Sequence, residues 1–149
     1  MPTTAPTTLE LSSDLATYAA RLVRALRRNN DLPAGARIVS LLDEHGPLGV
    51  SALATADRCS QPTMSAAVAG LVEKGWVDKL PHPDDARSSV ITLTDVGRSA
   101  LAHFRRVNGT TVAARFEAHP THTPEDLATA VAVLRDLLDP TYDPERGTL

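Results

Sequence analysis

Residues 60–77 read SQPTMSAAVAGLVEKGWV, and the fold turns on them. Ser60 is a helix-capping residue type, and Pro62 falls in the first turn, where a missing N–H costs nothing. Met64, Val68, Leu71 and Val72 recur at i, i+4, i+7 and i+8, which predicts an inward stripe. Gly75 ends the helix. The period then changes: residues 76–80 (WVDKL) have the composition of a strand. Pro81-His82-Pro83-Asp84-Asp85-Ala86 is a turn cluster, and the β-branched run 90–94 (VITLT) returns as a second strand. The result is a helix followed by a hairpin with a long polar tip.

Working upstream, residues 50–57 (VSALATAD) predict a short helix directly before this one. Before it, a helix over 34–44 turns Ile38, Leu41 and Leu42 inward and stops at His45-Gly46-Pro47. Ser12 or Ser13 is the expected cap of the first helix. Its stripe of Leu15, Tyr18, Leu22, Ala25 and Leu26 leaves Arg21, Arg24, Arg27 and Arg28 on other faces. Downstream, Thr94-Asp95-Val96-Gly97 opens a long helix carrying Ala100, Leu101, Phe104, Val107, Val112 and Phe116. Asn108-Gly109-Thr110-Thr111 is expected to weaken or bend its middle, and His119-Pro120 to break it. Thr123-Pro124-Glu125-Asp126 supplies a cap, a first-turn proline and first-turn acids. Leu127, Ala130, Val131, Leu134, Leu137 and Leu138 then form a narrow seam.

The expected fold is mainly α with a small β-hairpin wing: a winged helix-turn-helix domain over 33–95, flanked by N- and C-terminal dimerisation helices over 10–32 and 96–140. Residues 1–9 and 141–149 read as flexible ends. A seam on the last helix and another on the first fit a partner helix better than an internal core alone.

The chain has 149 residues and a net charge of −3, with one Cys and 3% aromatic residues. A lone Cys cannot pair within the chain, so a disulfide scaffold is excluded. Charges or prolines interrupt every apolar stretch well short of the ~18 residues a membrane span needs. The start MPTTAPTTLELSSD has neither a basic nor an apolar secretory region, so a cytoplasmic location is expected. Residues 33–95 carry five basic and eight acidic side chains, an unusual balance for a nucleic-acid binder.

Three fragments carry a family resemblance: His45-Gly46-Pro47-Leu48 before Val50-Ser51-Ala52-Leu53-Ala54; Ser60-x-x-Thr63 through Val68, Leu71 and Gly75-Trp76-Val77; and Asp85-x-Arg87 leading to Leu93-Thr94-x-x-Gly97. In this order and spacing the chain resembles the MarR (multiple antibiotic resistance regulator) family over about residues 10–140. The resemblance implies a homodimer whose terminal helices form the dimer region, binding of a double-stranded DNA operator, and release by a small-molecule effector or an oxidant. It leads to a reading as a repressor on a pseudo-palindromic site.

Ser60, Gln61, Thr63 and Ser65 put hydroxyls, an amide and free N–H groups at one helix end, a set suited to phosphates and base edges. They also serve as ordinary caps of a surface helix. Arg87 at a hairpin tip can enter a minor groove or stand as a solvated charge. Asp85 is placed to hold Arg87, and Arg58, His82 and Ser88 complete the expected DNA-binding set. Tyr18, Trp76 and Phe104 line a ligand cavity or simply fill the core. Cys59 is a redox-sensitive thiol beside a helix N-terminus or a small core hydrophobe. His119 and His122, with Glu117 and Glu125 near, are too few for a convincing metal site. No cofactor is expected.

The chain departs from the family pattern at Ala66, Ala69 and Gly70, where relatives often carry charged residues, and at Ala86 in the wing. Fewer cations mean fewer released counterions and a shallower salt dependence. The alternative is therefore a winged-helix module that binds another regulator rather than DNA. An enzyme reading has little support: the sequence contains no phosphate-cradling glycine loop, no HExxH and no nucleophile elbow.

Overall fold

The computed structural model describes residues 5–139 and 141. The element order is α1 (Thr8–Asn30), α2 (Gly35–His45), β1 (Leu48–Gly49), α3 (Val50–Asp57), α4 (Gln61–Glu73), β2 (Val77–Pro81), β3 (Ser89–Leu93), α5 (Asp95–Glu117) and α6 (Pro124–Leu137). The chain divides into two compact units, one up to Gly109 and one from Thr110 onward.

In the first unit a three-stranded antiparallel sheet is ordered β1-β3-β2. Val77 pairs with Leu93, Lys79 with Ile91 and Pro81 with Ser89, while Leu48 pairs with Ile91 from the other side. The β2–β3 pair is the expected wing. β1 is an addition to the expected hairpin: at two residues it is too short to show a strand period.

The core is assembled by α2, α3, α4, the sheet and α5. Ile38, Val39 and Leu42 of α2 meet Leu53 and Ala54 of α3, Met64, Val68 and Leu71 of α4, Val77 and Ile91 of the sheet, and Leu101 and Phe104 of α5. Leu53, Val39 and Ile91 are fully sealed, and among the described residues no polar or charged side chain is buried. The core is therefore held by apolar burial alone, and truncating Leu53 to Ala should cost about 2–5 kcal/mol. Val72, expected to face inward, is 41% exposed instead. It falls beyond the edge of the buried face set by Met64, Val68 and Leu71.

α1 begins earlier than expected. Thr7, rather than Ser12 or Ser13, is its cap: Thr7 accepts the Glu10 N–H, and the Glu10 carboxylate accepts the Thr7 N–H at 2.7 Å. This capping box satisfies two otherwise free donors. Ser12 lies inside the helix and donates its hydroxyl to Thr8 O. Thr8 and Leu9, expected in a flexible end, are thus helical, while residues 1–4, 140 and 142–149 of the expected flexible or terminal segments lie outside the described residues. α5 runs without interruption through residues 108–111, so Gly109 does not break it.

In the second unit α6 opens on a capping box of Thr123 and Asp126 with Pro124 in its first turn, as the sequence indicates. None of its described side chains is buried, and Leu127, Val131, Leu134, Leu137 and Leu138 are all exposed. On α1, Leu9, Leu11, Tyr18, Leu22 and Val23 are exposed too.

Candidate nucleic-acid interface

α3 and α4 are joined by a turn that the backbone itself locks. Arg58 sits in the left-handed region at φ 55°, and its N–H bonds to Ala54 O and Thr55 O. The Cys59 N–H follows to Ala54 O at 3.0 Å. Cys59 is half-buried and packs against the core, in keeping with its hydrophobe reading. A non-glycine residue here stores about 1 kcal/mol or more of strain, which the surrounding contacts must hold.

Ser60 then caps α4. Its hydroxyl accepts the Thr63 N–H at 3.2 Å and lies 2.7 Å from the Thr63 hydroxyl. The Gln61 amide donates to the Ser51 hydroxyl, tying the start of α4 to α3. With Met64, Val68 and Leu71 buried, the residues left exposed are Gln61, Pro62, Thr63, Ser65, Ala66, Ala69, Val72 and Glu73. α4 contains no Lys or Arg, so the cations nearest to it in sequence are Arg58 before it and Lys74 after. The helix thus offers hydroxyls, an amide and methyl groups, with the helix dipole but no side-chain charge to attract phosphate.

The wing tip is a hydrogen-bonded loop. The His82 N–H donates to Ser88 O at 3.0 Å, and the Ser88 N–H and hydroxyl both donate to Asp85 O. His82 Nδ1 accepts the Asp84 N–H. Asp85 does hold Arg87, but by its backbone: the carboxylate accepts the Arg87 N–H at 2.9 Å, and no ion pair joins it to the guanidinium among the described residues. The exposed Arg87 side chain is left available to an outside partner. Asp85 acts as a turn residue that shapes the tip.

Thr94 and Gly97 anchor the wing to α5. The Thr94 hydroxyl donates to Gly75 O and accepts the Gly97 N–H at 3.0 Å, while the Thr94 N–H bonds to Trp76 O. A Cβ on Gly97 would collide with the Trp76 carbonyl. The spacing of these two residues is therefore a packing requirement: α5 must start flush against the strand that follows α4.

Behind the helix-turn-helix, also within the first unit, lies an open cleft of about 680 Å³. Leu26 and Val23 of α1, Leu41 of α2 and Leu101 and Phe104 of α5 give it an apolar wall, while Arg27, Arg37, Asp57 and Arg105 give it charge. Of the three residues expected around a ligand, Phe104 alone lines it. Trp76 packs edge-on against Phe104 at 5.5 Å as part of the core, and Tyr18 stands 60% exposed with Arg21 over its ring. The sequence reading missed the polar lining, because its residues come from four helices and share no local period. No cluster of three or more His, Cys, Asp or Glu side chains converges among the described residues. No helix among them is long and apolar enough to cross a membrane.

A model of the MarR family matches residues 33–89, the span from α2 to the end of the wing loop. An uncharacterized HTH-type transcriptional regulator of Mycobacterium bovis is 30% identical over 133 residues, covering 87% of this chain and 93% of the relative. A putative transcriptional regulator of Pseudomonas aeruginosa superposes with a TM-score of 0.64 at 24% identity, covering 90% of this chain and 99% of its own. Apo MarR of E. coli gives 0.63 at 19% identity, with 91% and 99% covered. A mutant MarR of E. coli in complex with operator DNA gives 0.54 at 21% identity, with 86% and 91% covered. The chain belongs to the MarR family of winged helix-turn-helix transcriptional regulators.

Proposed function

We propose that the protein is a homodimeric repressor that lays α4 in the major groove of its operator and the wing in the adjacent minor groove. The carrying observation is the exposed face of α4, where Ser60, Gln61, Thr63 and Ser65 surround the capped helix N-terminus, with the Arg87 guanidinium in no ion pair among the described residues at the wing tip. Arg58, His82, Asp85 and Ser88 belong to the same surface, the last two as shapers of the tip. A two-fold dimer then requires a pseudo-palindromic site with half-sites about 34–36 Å apart. The dimer reading rests on the exposed apolar side chains of α1 and α6, which a solvated helix would not keep. The cleft lined by Phe104 is the effector site; a relative of the same fold from Bordetella bronchiseptica has its DNA binding regulated by 6-hydroxynicotinic acid.

One observation favours a second reading. With no cation on α4 and a net charge of −3 over residues 33–95, the block suits a protein partner as well as DNA. Fluorescence anisotropy on duplexes selected from a genomic library, at near-physiological salt, separates the two. A repressor binds a selected duplex with a negative slope of log affinity against log salt, and Arg87→Ala weakens that binding. A protein-binding module selects no duplex and co-purifies with another chain.

A further inference from the structure

The first turn of α4 carries a side chain whose orientation is already set. Gln61 is the first helical residue after the Ser60 cap, and its amide Nε2 donates to the hydroxyl of Ser51, the second residue of α3. Both residues are exposed, so the pair lies at the surface rather than in the core. Ser51 is itself held in place. Its carbonyl accepts the Thr55 hydroxyl at 3.1 Å, and β1, directly before α3, is paired to β3. Immobilising an exposed Gln side chain costs rotamer entropy, and the bond to Ser51 offsets part of that cost before any partner arrives.

What the pair leaves open decides what it reads. A primary amide carries two N–H donors and one carbonyl acceptor. With one N–H given to Ser51, one donor and one acceptor remain, and among the described residues the Gln61 amide makes no other hydrogen bond. Adenine presents the matching pair in the major groove, where N7 accepts and N6–H₂ donates. Guanine presents two acceptors, N7 and O6, so the Gln61 carbonyl would face another acceptor there. A loose amide turns about its last torsion, which is broad, and offers its N–H groups instead. An amide tethered to Ser51 gives up that bond if it turns. Nothing else on α4 is suited to guanine: the helix has no Lys or Arg, and Glu73, its one charged residue, is also its last. Ala66 and Ala69, exposed on the same helix, offer methyl groups that suit a thymine methyl.

We propose that Gln61 reads an adenine in each half-site of the bound duplex, and that Ser51 is the positioning residue that makes this reading selective. Ser51 acts through the Gln61 amide and need not touch the base. The proposal rests on the DNA-binding reading above, and it names the base that α4 selects and the contact that sets the selection.

The test uses the full chain and a selected duplex, with fluorescence anisotropy at fixed salt. Within one half-site each adenine is replaced in turn by 7-deazaadenine, which keeps its pairing face and N6 but lacks the N7 acceptor, and each A·T pair by G·C. At one position both changes should weaken binding by the parent about tenfold. Gln61→Ala should bind the unmodified duplex more weakly than the parent and be indifferent to both changes at that position. Ser51→Ala should lose most of the preference for A·T over G·C there and nowhere else, and Ser51→Thr, which retains the hydroxyl, should keep it. A merely structural role for Ser51 would lower affinity for every duplex alike. Thermal melting checks that each variant folds. No adenine position sensitive to the loss of N7, a Gln61→Ala variant that still discriminates at it, or a folded Ser51→Ala variant with the parent's full preference would overturn the proposal. Its failure is separate from that of the DNA reading: a parent that binds a duplex with a negative salt slope yet ignores N7 keeps the DNA reading and sinks this one, whereas a parent that binds no duplex sinks both.

Discussion

The α2–β3 block and the terminal helices treat their apolar residues in opposite ways. In the block, Ile38, Leu53, Met64, Val68, Val77 and Ile91 are all but sealed. On α6, Leu134, Leu137 and Leu138 remain exposed, the last at 78%, and on α1 so do Leu11, Tyr18 and Leu22. A three-helix, three-strand unit of this size closes its core with only Leu101 and Phe104 of α5 added, whereas a lone amphipathic helix cannot bury its stripe without a neighbour. The block seals its apolar side chains, and the terminal helices leave theirs exposed. The proposed function joins these two properties: it assigns the sealed block to DNA and the exposed apolar side chains to a second copy.

The largest effect that could break this comparison comes from α6. Leu134→Glu is expected to convert the proposed dimer to a monomer by light scattering and to lower affinity for a selected duplex more than a hundredfold, with the α2–β3 block still folded by circular dichroism. A monodisperse dimer with unchanged affinity would show that the α6 stripe has another use. Next comes the block's own rigidity. Gly97→Ala forces a methyl group into the Trp76 carbonyl. Overpacking of this kind costs typically about 1–3 kcal/mol, and at about 2–4 °C per kcal/mol for a chain this long the melting temperature should fall by about 2–12 °C. An unchanged melting curve would mean that the wing and α5 are not fixed together as described.

Arg87→Ala sharpens the comparison from the side of function. It leaves folding intact, since its backbone N–H rather than its guanidinium is bonded to Asp85. Removing one phosphate or groove cation should weaken binding by several-fold and reduce the salt slope by about 1. A variant with the parent's slope would remove the wing from the interface. The smallest effect is at the helix ends. The Thr7 backbone N–H and hydroxyl hold the Glu10 carboxyl below its ordinary value, and Thr123 does the same for Asp126. Groups lowered in the folded state stabilise it above their unfolded values and lose that contribution as pH falls through the lowered ones. Helix content should therefore decline slightly below about pH 4, and Thr7→Ala and Thr123→Ala should remove part of that dependence.

Much of this was visible in the residues themselves. The Ser60 cap with Pro62, the Met64-Val68-Leu71 stripe, the change of period at Trp76 and the Thr94–Gly97 opening of α5 are local signals, and each lies where local physics puts it. Three features were hidden for identifiable reasons. The cap at Thr7 competed with equally good capping residues at Ser12 and Ser13, and Glu10 decides between them only through a hydrogen bond. β1 has two residues and exists only through its pairing with β3, Leu48 to Ile91 and Gly49 to Val90. The cleft draws Arg27, Arg37, Asp57 and Arg105 from four helices, so no spacing along the chain announces it. Tyr18 was linked to that site by its aromaticity alone, and the structure turns it outward.

The central claim is that one body presents two copies of α4 to a single duplex. Sedimentation equilibrium of the complex on a selected duplex tests it most directly. Two chains per duplex, with the free protein also sedimenting as two chains, is the expected result. One chain per duplex from a monomeric free protein would contradict it.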